Sequence, residues 1–196
     1  MTKTFPATDV RHLWQLGVPD VGENRHPEAG EKAAACADLD LRWHFVGQLQ
    51  TNKARLVADY ADVVHSVDRA RLVTALARGA DPGCPVDCLV QVSLDPPGHE
   101  SGRGGVPGDE VAGLAGEIAA HDALRLRGVM AVAPPADDPD QAFARLTAVS
   151  EHLRTSWPQA TWVSAGMSGD LEAAVLHGAT HVRVGSAILG TRPPAR

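Results

Sequence analysis

The sequence predicts an α/β fold, a TIM (β/α)8 barrel built as one domain over residues 1–196, and three observations carry that prediction. Short apolar segments alternate with amphipathic ones along the chain, which calls for parallel strands joined by helical crossovers. Two late stretches, residues 164–170 and 181–190, each run from a short apolar strand through small residues into a helix, leaving backbone N–H groups to face an anion. Tandem turns of that kind match the loops after the seventh and eighth strands of a barrel, where a phosphate sits. An open doubly wound sheet is the competitor, but no Gly-x-Gly-x-x-Gly follows an early strand. A typical barrel needs about 250 residues, and this chain has 196.

Taken in order, residues 2–5 are an extended stub, and Pro6 opens a helix with Thr8 or Asp9 as cap and Gly17 as stop. Residues 20–24 form a strand ending in polar groups, and residues 27–39 an Ala-rich helix. A strand over 43–47 leads to a helix over 50–61, where Ala54, Val57, Ala58 and Ala61 recur at helical spacing. Residues 63–67 are a strand, and Asp68 caps a helix ending at Gly79. The apolar run 86–94, flanked by Pro85 and Pro96, is too short for a helix and reads as a buried strand. The Gly/Pro-rich loop 95–108, bearing Glu100 and Arg103, leaves the same end of the sheet as the anion turns. A helix to His121, a strand over 126–132, a helix over 137–155, a strand over 160–165, a helix over 169–177 and a strand over 181–184 complete the chain. The total is seven strands and the stub of an eighth.

Composition excludes several classes. With 44% hydrophobic and 21% charged residues and a formal net charge of -6, there is no basic stripe for nucleic acid. No apolar run approaches the roughly 20 residues of a membrane span, and no signal-peptide layout opens the chain, so a cytoplasmic protein is expected. Cys36, Cys84 and Cys88 are odd in number and at no familiar metal spacing, which predicts reduced thiols. The nine histidines are scattered along the chain, and a metal site is not expected.

Several motifs act as a set: Thr2-Lys3-Thr4, Val21-Gly22-Glu23-Asn24, the block from His44 to Lys53, His65-Ser66-Val67-Asp68, Gly128-Val129-Met130-Ala131, Gly166-Met167-Ser168-Gly169-Asp170 with Glu172-Ala173-Ala174, and Arg183 to Gly190. Together they resemble the pyridoxal phosphate homeostasis protein family, related to the N-terminal barrel of alanine racemase. The resemblance runs from residue 2 to about 190. It implies a barrel that binds pyridoxal 5'-phosphate (PLP) as a Schiff base and places the reactive lysine at Lys3. A lysine at the end of a first barrel strand points into the mouth, where partial burial favours the neutral, nucleophilic amine. Lys32 and Lys53, the other two lysines, fall on expected helices.

On the same resemblance, Ser168 and Gly169 at one turn and Gly185 and Ser186 at the next are expected to hold the phosphate through N–H groups and hydroxyls, and Met167 is a further expected cofactor contact. Ser168 could equally be an ordinary helix cap, and the two roles are compatible. Arg183 is the candidate to face the pyridine nitrogen, by analogy with alanine racemase, where an arginine keeps that nitrogen unprotonated and weakens the ring as an electron sink. The alternative for Arg183 is a salt bridge toward a helix. Asn24, His44 and Met130 end strands at the mouth, where a barrel puts its site, although a lone His or Met at a strand end also serves packing. His65 reads as structural, and Arg103 matches a basic position of the family that could close over the mouth.

Two departures from the family shape the functional expectation. Members carry a further helix and most of a first strand, roughly 30 residues, before the lysine; a barrel lacking them leaves two edges unpaired and invites association. The expectation is therefore a start further upstream, with Met1 standing at an internal valine read from a GTG codon. A racemase of this fold also uses a tyrosine from a second domain as its opposite base, and the only tyrosine here, Tyr60, is on an expected mid-chain helix. A carrier or buffer that exchanges PLP with apo-enzymes is favoured over the alternative, a PLP-dependent amino acid racemase-like enzyme. A monomer is expected, with a dimer as the alternative.

Overall fold

Six parallel strands are hydrogen-bonded in chain order, β1 (Asp20–Glu23), β2 (Arg42–Phe45), β3 (Val63–Val67), β4 (Val86–Gln91), β5 (Leu124–Met130) and β6 (Trp162–Ser164). The computed structural model describes residues 1–96 and 102–190, so Glu100 lies outside the described residues. Parallel neighbours in unbroken order require every crossover to travel the same way, and the sheet curls into a barrel wall with helices outside. Those helices are α1 (Ala7–Gln15), α2 (Glu28–Ala35), α3 (Ala54–Ala58), α4 (Ala70–Ala77), α5 (Val111–Ala119), α6 (Pro139–Ser156), α7 (Leu171–Leu176) and α8 (Ser186–Leu189).

The strands alternate between two apolar layers, as period-2 geometry dictates. Val64, Val67, Cys88, Val90 and Val129 face outward into the main core with Leu72, Leu76, Leu114, Ile118, Phe143 and Leu146 from the helices. Val21 and Trp43 meet Val10, Ala33 and Cys36 beneath α1 and α2. Val63, Leu89 and Met130 point the other way and fill the barrel interior. At the N-terminal ends of the strands the interior is polar. There the buried Asp87 carboxylate takes Arg42 at 2.5 Å, with Arg125 and Arg127 at 3.4 and 3.6 Å. The Arg42 and Arg127 guanidinium groups also lie 4.8 and 4.3 Å from the Trp162 ring centre.

Several boundaries differ from the sequence expectation. Pro6, not Thr8 or Asp9, is the cap of α1, with no side-chain capping bond; proline's fixed φ already starts the turn. α2 stops at Ala35, and the expected helix over 50–61 is a 3-10 turn, Thr51–Lys53, followed by the short α3. Asp68 pairs with Arg69 rather than capping α4, whose cap is Arg69. Residues 181–184 do not form a regular strand: they follow β6 through a single bridge, Ser164 to His181, and through the Arg183 N–H to the Gly166 carbonyl at 2.9 Å.

The circuit is completed by two residues. The Met1 nitrogen donates to the Val184 carbonyl at 2.6 Å, and the Thr2 N–H donates to the Gly22 carbonyl at 2.9 Å. Met1 and Thr2 thus join residue 184 to β1 at the C-terminal rim. Below them a cavity of about 360 Å3 separates β1 from residues 180–184 and is lined by Leu13, Val18, Val21, His44, Val182 and Ile188 among others. Cys36, Cys84 and Cys88 are free thiols, and among the described residues no metal-holding cluster is found and no helix is long and apolar enough to cross a membrane.

Candidate functional site

The position of Lys3 is set by its neighbours. Thr2 is fully buried, its hydroxyl donating to Glu23 Oε1 at 2.6 Å, while Lys32 Nζ donates to the Thr2 carbonyl at 2.8 Å. Thr4 follows with φ +69°, a left-handed conformation that a β-branched residue adopts only when its surroundings demand it. The demand is visible: the Thr4 N–H donates to Glu28 Oε1 at 2.7 Å, and the same oxygen accepts from Lys32 at 2.8 Å. Residues on either side of Lys3 are therefore tied to β1 and α2, and the lysine itself faces a cleft of about 240 Å3.

That cleft lies at the C-terminal ends of the strands. It gathers Lys3, Asn24, Met167, Ser168, Arg183, Gly185 and Ser186 from four separate parts of the chain, with Phe5, Val46 and Val132 as apolar lining. Among its lining residues are two side-chain cations and no carboxylate. Gly47 lets β2 pass close to β1 here, since a Cβ at that position would stand 2.1 Å from the Asn24 carbonyl oxygen.

The two small-residue turns are built differently. At the first, Gly166 has φ +88° and packs so closely that a Cβ would meet Ala174 at 2.7 Å; the Met167 N–H donates to Asp170 Oδ1 at 2.6 Å, which holds the turn shut. At the second, Gly185 precedes α8. The N–H groups of Ser168, Gly185 and Ser186, all in the cleft lining, donate to no protein acceptor among the described residues, and neither do the Ser168 and Ser186 hydroxyls or the Asn24 amide. Unused donors clustered beside cations are what a phosphate ester needs.

Among the described residues Arg183 forms no salt bridge toward a helix. Its guanidinium donates to the Ser164 carbonyl and hydroxyl, both at 2.9 Å, and to the Ala131 carbonyl at 2.8 Å. Burial lowers its pKa to about 10, which still leaves the cation intact near neutral pH.

Four expected contacts fall elsewhere. His44 lies inside the barrel, its Nδ1 2.8 Å from His65 Nε2 and its Nε2 2.9 Å from Asp20 Oδ1, below the cleft. The reason is strand parity: Gly22 and His44 are register partners facing the interior, and the ring turns toward the start of β1 where a carboxylate awaits it. Met130 is 2% exposed and packs with Val63 and Leu89. Gly169 sits in the turn between Ser168 and Asp170 outside the cleft lining, with open space where a Cβ would be. Arg103 pairs with Asp95 in its own loop instead of reaching the mouth. Tyr60 follows α3 rather than lying on a helix; its ring stacks with His26, and burial with the nearby Glu23 raises its pKa.

Sequence reasoning missed Lys32, Glu23, Ser164 and His181. The first two were discoverable, because Glu28 and Lys32 stand at i, i+4 and Glu23 ends an apolar strand where a carboxylate must find a cation. His181, whose ring centre is 6.2 Å from that of His44 and 4.5 Å from that of Trp162, had no local signal.

Residues 5–193 match the family model described as alanine racemase, N-terminal domain. The chain is 43% identical over 209 residues to the pyridoxal phosphate homeostasis protein of Mycobacterium tuberculosis, covering 98% of this chain and 81% of that one. Among solved structures it is similar to PipY of Synechococcus elongatus, in a form without PLP at a TM-score of 0.88 and in a form with PLP bound at 0.86. Identity to PipY is 33%, covering 96% of this chain and 90% of that chain.

Proposed function

Because the chain belongs to the pyridoxal phosphate homeostasis protein family, we propose that it binds PLP in the cleft carrying Lys3 and serves PLP homeostasis without turning over a substrate. The single observation that supports this most strongly is the make-up of the cleft, an amine, a guanidinium and a set of unengaged N–H and hydroxyl donors with no carboxylate among its lining residues. That donor set fits a dianionic phosphate ester carrying an aldehyde, and PipY is known with PLP bound.

Bound PLP supplies an electrophilic aldehyde that a primary amine can capture reversibly. Lys3 is the amine in this reading, kept at the cleft by the Thr2 and Thr4 anchors. Ser168, Gly185 and Ser186 hold the phosphate through N–H and hydroxyl donors. Asn24 contacts the ring substituents. Arg183, a permanent donor near neutral pH, faces the ring nitrogen and disfavours its protonation. Phe5, Val46 and Val132 shield the ring from water.

A carrier role is supported over a racemase-like role by the position of Tyr60, which lies beside Glu23 and His26 rather than in the cleft. Proton transfer on two faces of a substrate needs a second positioned base. Apo-enzymes dependent on PLP are the proposed recipients, and the cytoplasm the proposed site of action.

The test is reduction of the PLP-treated protein with borohydride and mapping of the pyridoxyl group by mass spectrometry, beside Lys3→Ala. The expected result is a single adduct on Lys3, absent from the variant, with no racemisation of alanine or serine. An adduct on Lys32 or Lys53 would overturn the site, and sustained racemisation would overturn the carrier role.

A further inference from the structure

One unbroken series of hydrogen bonds links the cleft to the opposite end of the barrel interior. Arg183 Nη1 donates to Ser164 Oγ at 2.9 Å; Ser164 Oγ lies 2.9 Å from His65 Nδ1; His65 Nε2 lies 2.8 Å from His44 Nδ1; and His44 Nε2 lies 2.9 Å from Asp20 Oδ1. Ser164 is fully buried and its hydroxyl hydrogen has no other acceptor among the described residues, so it donates to His65 Nδ1. His65 must then carry its hydrogen on Nε2 and give it to His44 Nδ1, and His44 must carry its own on Nε2 and give it to Asp20. Every donor points the same way, from Arg183 toward Asp20. At the far end the Asp20 side chain is 55% exposed, while that of His44 is 8% exposed.

A series with one direction cannot accept a proton at one point alone. Protonated His44 would set a second N–H against the His65 Nε2–H. His65 would have to move its hydrogen to Nδ1, and the Ser164 hydroxyl would lose the acceptor that orients it. The charged and titratable groups facing these rings are Asp20, Asp62, Arg42, Arg127, His181 and Arg183, with Trp162 against His181. His65 is buried and faces more cations than carboxylates, so the neutral arrangement is the ground state.

We propose that Ser164, His65 and His44 are positioning residues for the Arg183 guanidinium, and that a proton taken up at the Asp20 end reverses the series and loosens Arg183 in the cleft. The consequence for PLP rests on the cofactor reading given above; the orientation of Arg183 does not.

The experiment has a cofactor-free arm and a cofactor arm. In the first, nitrogen NMR of the protein without PLP reads the histidine tautomers and the exchange of the Arg183 guanidinium protons as pH is lowered. Both His65 and His44 are expected to hold hydrogen on Nε2, and Ser164→Ala to speed Arg183 proton exchange by roughly tenfold, the loss of about one hydrogen bond. Asp20→Asn keeps an oxygen acceptor for His44 but removes the charge that favours its protonation, so the acid transition moves to lower pH; this exposed variant also decides the matter if Ser164→Ala does not fold. In the second arm, PLP affinity falls across the same acid transition. Hydrogen on His65 Nδ1, or an exchange rate and acid transition unmoved by both variants, would overturn the proposal. If the first arm behaves as expected and PLP binds nowhere near Lys3, the cofactor reading fails and the positioning of Arg183 stands.

Discussion

Lys32 Nζ sits 2.8 Å from the Thr2 carbonyl oxygen and 2.8 Å from Glu23 Oε1, so a single buried cation joins the segment leading to Lys3 to the first strand. Glu23 is 1% exposed and takes a second hydrogen bond from the Thr2 hydroxyl. Lys32 is therefore a structural lysine, and the cleft lysine is the one held in place by it.

Lys32→Met is expected to destabilise the protein by about 3 kcal/mol, because it leaves the Glu23 carboxylate buried without its cation. It should also weaken PLP capture at Lys3. Chemical denaturation measures the first and the yield of pyridoxyl adduct the second. Lys32→Met with Glu23→Gln should lose less than Lys32→Met alone, and a double loss equal to the sum of the two single losses would show that the pair is not coupled.

Gly47→Ala is expected to cost about 1–3 kcal/mol, since its Cβ would stand 2.1 Å from the Asn24 carbonyl and the two strands must separate. The same shift displaces Asn24 from the cleft, so PLP affinity should fall with stability. A variant as stable as the parent, with unchanged affinity, would contradict the close packing.

Arg183→Lys keeps the charge but cannot reproduce a planar fork donating to Ser164 and Ala131 together. Loss of at least one buried hydrogen bond predicts a drop of roughly 1–2 kcal/mol in stability and weaker PLP binding. Titration calorimetry reads the binding; an unchanged affinity would remove Arg183 from the list of residues that touch the cofactor.

Stability should fall on acidification through the range where histidines titrate. His44, His65 and His181 all have pKa values lowered from 6.5, mainly by burial. The folded state thus binds fewer protons than the unfolded chain below pH 6.5, and stability is retained above that value and lost progressively beneath it. Each histidine contributes at most about 1.4 kcal/mol per pH unit. Melting temperature measured from pH 7.5 to 5 should be level at first and decline below 6.5, and a level profile to pH 5 would contradict the burial of these rings.

How much was legible varies by residue. Lys3, Asn24, Met167, Ser168, Arg183, Gly185 and Ser186 could be singled out because their motifs are local, and the structure brings all seven to one cleft. His44 and Met130 could not be assigned from the chain alone. A strand end tells which rim a residue is near, but whether the side chain rises into the mouth or sinks into the interior depends on parity and on partners from other strands. Residues 181–184 read as a strand from their apolar pattern but do not form one, for a similar reason: a strand exists only with a ladder beside it, and this segment keeps a single bridge to β6 while its other side meets Met1.

The alternation of strand and helix, the parallel sheet and the two small-residue turns are legible in the chain alone, because each depends on periodicity and on small residues close together in the chain. The tertiary structure alone decided that Lys32 anchors Thr2, that Arg183 rests on Ser164 and Ala131, and that His65 spans the barrel to a serine 99 residues away. Such contacts join residues distant in sequence, whose proximity is fixed only when the sheet curls and the hydrogen-bonding groups it buries must find partners.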